Sequence, residues 1–128
     1  MSALQPFPTK PCDSLHDAIP GLTAAAAAAV FGTSTKVMAT PSRRAVIARA
    51  RQFAVYLHHV AFGETVSACA RLFGRDRSTV RHACARIEDL RDDARFDFGA
   101  TLLENALVAQ RDLALTLAVA TEKSEAAQ

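Results

Sequence analysis

At 128 residues, 50% of them apolar, the chain has room for one modest domain plus tails. Its net charge of +2 hides a division along the sequence: residues 41 to 86 carry nine Arg against Glu64 and Asp76, residues 87 to 128 carry four basic against nine acidic side chains, and the first 40 cancel. No apolar run approaches the ~18 residues of a membrane span, and three Cys (12, 69, 84) without CxxC spacing fit neither a disulfide framework nor a zinc site.

Residues 1 to 40 hold four of the five Pro and an Ala tract, with few large apolar side chains, and are expected to form a mostly disordered arm. The tract from Ala24 to Val30 has helix propensity but is short for a lone helix. It also lacks the charged front of a signal peptide, so a reduced, cytoplasmic setting is expected. Gly32-Thr-Ser-Thr-Lys36 groups Gly, hydroxyls and Lys, yet it has no second Gly before the Lys and Val37 follows where a phosphate loop needs Ser or Thr.

Pro41-Ser42 opens a predicted helix to about Val60, with Ser42 as cap and Val46, Ala50, Phe53, Ala54 and Leu57 as its core stripe. Arg43, Arg44, Arg49, Arg51 and Gln52 lie off that stripe. Phe62-Gly63 ends the helix, and Thr65 caps a short one, Val66 to Phe73, with Val66, Cys69, Ala70 and Phe73 inward.

Gly74 breaks that pattern, and Asp76 or Ser78 supplies a side-chain oxygen able to cap the next helix. On this helix Val80, Ala83, Cys84, Ile87 and Leu90 recur at helical spacing on one face, while Arg77, Ser78, Arg81, His82 and Arg86 point elsewhere. The first face packs and the second is free to read. Arg, Ser, Thr and His near a helix N-terminus can donate to base edges in the major groove, so the spacing predicts a helix-turn-helix. All nine basic residues of the 41 to 86 block are Arg, whose planar fork suits guanine edges and phosphates.

Asp89, Asp92 and Asp93 form an acidic turn. An amphipathic pattern of Phe96, Phe98, Leu102, Leu103, Ala106 and Leu107 then continues through Leu113 and Leu117. A helix with this much apolar surface must bury one face, on its own domain or on a partner chain. The amphipathic helix is placed at 99 to 120, and 121 to 128 reads as a polar, frayed tail.

The stretch from Gly74 to Val80, GRDRSTV, followed by His82-Ala83, resembles the GRDHTTV signature in the C-terminal DNA-binding domain of the bacterial replication initiator DnaA. ARARQFAVYL, from Ala48 to Leu57, is similar to that family's ARxRQxAMYL, and the resemblance covers residues 42 to 98. It implies an all-α fold of the Trp repressor/replication initiator helix-turn-helix type with a long C-terminal helix, the DNA-binding domain spanning 41 to 98. It further implies DNA contacts from Arg43, Arg51, Gln52, Arg75, Asp76, Arg77, Ser78, Thr79, Arg81 and His82, the first three toward the minor groove or phosphates. The sequence departs from the family in carrying Val66-Ser67 where Leu-Pro is usual, which replaces a possible thymine-methyl contact with a hydroxyl.

Three functions follow as alternatives. The first is sequence-specific binding of double-stranded DNA at DnaA-box-like sites, regulating replication initiation; 128 residues cannot also hold an ATPase module, so no ATPase activity is expected. A small transcription regulator uses the same chemistry. The second is an adaptor that binds the initiator through its C-terminal helix, although an adaptor has no need of an Arg-rich recognition face. The third, an enzyme, has the least support, because His58-His59 and His82 have no nucleophile or carboxylate arrangement around them. No metal, cofactor or membrane partner is expected, and the sequence leaves the oligomeric state open.

Overall fold

The computed structural model describes residues 15–127. They form six helices: α1 (Leu15–Val30), α2 (Thr35–Met38), α3 (Ala45–Ala61), α4 (Val66–Phe73), α5 (Arg77–Leu90) and α6 (Ala94–Ala126), with no strand among the described residues. The fold is all-α, with a long C-terminal helix as expected.

The molecule is built around α3. Residues 53 to 58 are buried one after another, because α1, α4, α5 and α6 each pack against this helix. Phe53 meets Phe31 edge-on at 5.9 Å and Phe96 at 5.5 Å, and His58 sits between Phe62 and Phe73 at 5.4 and 5.5 Å. Such ring pairs add to what their buried area alone contributes.

The expected disordered arm is replaced by helix over much of its length. Residues 15–30 and 35–38 are helical, while the part of that expectation falling on 1–14 lies outside the described residues. Ala24, Ala27 and Ala28 are buried at spacings of three and one, so the tract that cannot hold a helix alone presents methyl groups that let α1 approach α3 closely. Buried Thr23 donates to the Pro20 carbonyl at 3.0 Å. Gly32 then ends α1 at φ +66°, with Thr33 N–H donating to Ala28 O at 2.9 Å; the Gly-hydroxyl-Lys segment is thus a helix stop followed by a cap, since Ser34 Oγ accepts from Val37 N–H.

Helix α3 begins two residues later than expected. Ser42 does not cap it; the Ser42 carbonyl accepts instead from Arg51, and the backbone turns into the helix at Arg44, whose side chain makes no cap bond. The buried arc also sits slightly further round, with Ile47 at 2% exposure and Val46 at 37%.

Helices α4 and α5 follow the sequence closely. Thr65 Oγ1 accepts from Ala68 N–H at 3.0 Å to start α4, and Gly74 closes it at φ +62°, a conformation costly for any residue with a Cβ. Cys69, Ala70 and Phe73 are buried, with Val66 half-buried. Burial pushes the Cys69 thiol up to about 12, so it stays protonated and inert. On α5, Val80, Ala83 and Ile87 are buried and Cys84 and Leu90 half-buried, matching the expected packing face.

Past α5 a polar hub ties three helices together. Tyr56 Oη donates to Glu88 at 2.9 Å and accepts from Arg91 Nη1 at 2.9 Å; Arg91 also donates to Asp97 (2.6 Å), Thr101 (2.7 Å) and Glu104. Burial works against the Arg91 charge, but the bonds to Asp97, Tyr56 and Glu104 outweigh it and hold the guanidinium more firmly protonated than usual. Burial raises the Tyr56 hydroxyl to about 12.

Asp93 caps α6, its Oδ1 accepting from Arg95 and Phe96 N–H at 2.9 and 3.1 Å. This helix starts before the expected 99 and continues through the residues read as a frayed tail, to Ala126. Its first half docks through Phe96, Ala100, Leu103 and Leu107, and an Arg111 guanidinium over the Phe62 ring at 5.1 Å is the last anchor. Beyond it only Ala114 and Ala118 are even half-buried, so the outer half is held by its Ala- and Leu-rich propensity and continuity with the docked half.

Candidate nucleic-acid interface

Helices α4 and α5 meet across a three-residue turn, Gly74 to Asp76, that fixes the direction in which α5 leaves the core. Arg77, Ser78, Arg81 and His82 are exposed on α5, together with Thr79 in its first turn. Asp76 occupies the N-cap position, but its side chain makes no cap bond, and Ser78 lies inside the helix rather than at its cap. The first-turn N–H groups therefore remain without a side-chain cap, which leaves a partial positive charge at the helix start.

Five of the ten expected site residues line one shallow depression of about 70 Å³ where α3 meets α5: Arg51, Gln52, Arg75, Thr79 and His82. The other five, Arg43, Asp76, Arg77, Ser78 and Arg81, stand outside it and are exposed. Two cations thus share one small hollow. Arg75 has its pKa lowered by burial first and by the Arg51 charge second, and burial alone lowers that of Arg51. An anion at the rim of this hollow would offset the repulsion between the two guanidinium groups.

These half-buried cations are also structural. Arg51 donates through all three guanidinium nitrogens to backbone carbonyls of the preceding segment, Met38 (2.8 Å), Ser42 (2.7 Å) and Thr40. The Arg75 Nη1 donates to Phe73 O and Gly74 O at 3.0 and 3.2 Å, bracing the turn. Gln52 Oε1 accepts from Arg49 Nη1 at 3.2 Å. Arg43 and Arg44 directly follow the segment Arg51 clamps, and both are exposed. Arg44 and Arg86 are exposed basic residues outside the expected ten; their signal in the sequence is the basic block together with helical spacing, which sets both off the packing faces.

A family model described as the bacterial DnaA protein helix-turn-helix matches residues 24–87, half of the chain. The chain belongs to that family. No curated protein and no solved structure matches it. In this DnaA-type helix-turn-helix, a DNA-binding domain, α4 is the bracing helix and α5 the recognition helix. The match starts at Ala24, well before the resemblance read from residue 42, and so takes in the half of α1 that packs on α3. Among the described residues no helix is long and apolar enough to cross a membrane.

Proposed function

We propose that the protein binds double-stranded DNA sequence-specifically at DnaA-box-like sites and so regulates replication initiation. The observation that carries this reading is the outward face of α5, where Arg77, Ser78, Arg81 and His82 are all exposed at the N-terminal end of a recognition helix. Arg, Ser and His there supply donors for base edges, while Arg43, the hollow of Arg51, Gln52 and Arg75, and the start of α5 supply backbone contacts. Selection of bound sequences from a random duplex pool at physiological salt tests it. Enrichment of a box related to the DnaA box supports the reading; no enrichment at all counts against sequence-specific binding.

If about five phosphates are neutralised, log Kobs should fall with log salt at a slope of about −4.5, roughly 500-fold between 50 and 200 mM. A flat salt response would rule out DNA as the ligand.

Arg43 and Arg51 separate by a pair of measurements. Arg43→Ala should weaken binding to the selected and to a scrambled duplex alike and reduce the salt slope by about 0.9, with thermal stability unchanged. Arg51→Ala should show the same uniform loss and in addition lower the melting temperature, because three carbonyls lose their donor and each lost bond contributes about 0.5 to 1.5 kcal/mol. An Arg51→Ala melt identical to wild type would show that the clamp is not what holds residues 38–42.

A second reading, an adaptor that binds the initiator, draws on the exposed apolar residues of outer α6. It requires capture of purified initiator without DNA.

A further inference from the structure

Phe98, Leu102, Ala106, Ala109, Leu113 and Leu117 recur along α6 at spacings of four, four, three, four and four residues, and every one is exposed. At 3.6 residues per turn they fall on a single stripe about 28 Å long. The docked residues Ala100, Leu107 and Arg111 lie on the other side of the helix, so most of the stripe faces away from the domain's own core, while Leu102 and Ala106 border an apolar cavity of about 520 Å³ that Val30 and Phe53 also line. Phe98 is 67% exposed, Leu102 53%, Leu113 60% and Leu117 57%, and no element of the described chain covers them. A contiguous apolar stripe of this size marks an interaction surface.

The order of residues in the stripe selects the occupant. Read from either end it runs large, large, small, small, large, large, about a midpoint between Leu107 and Val108. A two-fold axis there places Phe98 against Leu117 of the second copy, Leu102 against Leu113, and Ala106 against Ala109. That is the self-complementarity an isologous interface requires, with paired alanines at the centre allowing close approach of the helix axes.

Two further features agree. In that alignment Lys123, on the stripe's flank, would come opposite the exposed Asp92 of the other copy, whereas Glu122 and Glu125 lie on the far side of the helix. Antiparallel alignment also sets each negative helix end beside a positive one.

We propose that α6 pairs with α6 of a second copy, antiparallel, through this stripe. The proposal is independent of which DNA sequence α5 reads. Both domains lie on the outer sides of the helix pair, each keeping its own recognition helix.

Sedimentation equilibrium tests the pairing on the full chain. The mass should rise from 13.7 kDa toward twice that value as chain concentration approaches ~100 µM. Leu102→Lys and Leu113→Glu should each stay monomeric with unchanged helical circular dichroism. An equimolar mixture of the two should recover the dimer, since the introduced ammonium of one chain then faces the introduced carboxylate of the other. Phe98→Lys with Leu117→Glu repeats the test at the ends of the stripe should either first variant lose helix. A wild-type chain that remains monomeric at ~100 µM overturns the proposal, including where it then captures the initiator through the same face. Dimers indifferent to all four changes, or failure of both mixtures to recover, overturn it as well.

Discussion

Arg77→Ala is expected to lower affinity for the best DNA site by about ten- to a hundredfold and to flatten sequence preference at one base position, because losing a bidentate pair costs about 1 to 3 kcal/mol. Arg77 is the first residue of α5, exposed, directly after the sharp turn at Gly74 and an N-cap whose side chain makes no cap bond. It stands where the DnaA signature has His. An imidazole offers a ring donor and an apolar edge, whereas a guanidinium offers a planar fork able to bond guanine O6 and N7 together. The preferred site should therefore differ from a DnaA box at the base facing Arg77, with guanine favoured, and Arg77→His should move preference back. Binding of the variants to single-base changes of the selected site decides it: a loss spread evenly over all sequences would mean that Arg77 holds a phosphate and reads no base.

The second large effect concerns stability, at a residue remote from the recognition helix's exposed face. Arg91→Ala removes the donor to Asp97, Thr101, Glu104 and Tyr56 at once. The Glu104 side chain is 17% exposed, so its carboxylate keeps little access to water once its partner is gone. Leaving one member of a largely buried pair uncompensated costs about 3 kcal/mol, which for a domain of this size lowers the melting temperature by roughly 10 °C. Arg91→Lys keeps the charge but not the planar fork and should recover only part of the loss. At low temperature, where the variant remains folded, DNA affinity should be close to wild type. A melting temperature within a degree or two of wild type would show that the hub adds nothing to the docking of α6.

The contrast between these two arginines shows which features the sequence could reveal. Arg77 sits within a local signature, and its environment depends on the few residues around it: a left-handed Gly74, an N-cap at Asp76 and a packing face three and six residues onward. Thr65 capping α4 is equally local, one hydroxyl meeting an N–H three residues away. Helical period and cap chemistry are short-range, so the all-α class, the helix-turn-helix and the face of α5 that packs were determined by the sequence alone.

What tertiary structure decided are the features that depend on distant partners. Arg51 looks like another member of the basic block until Met38, thirteen residues earlier, takes its Nε. Arg91 becomes a hub only because Tyr56, thirty-five residues before it, lies within 2.9 Å. The Ala tract has too little side-chain surface to predict a packed helix, and its burial depends on α3 offering a wall close enough for methyl groups to fill. The full extent of α6 rests on the docking of its first half, which provides the nucleus that a lone segment of mixed pattern lacks. Periodicity records which face of a helix is apolar; only the folded chain decides what, if anything, covers it.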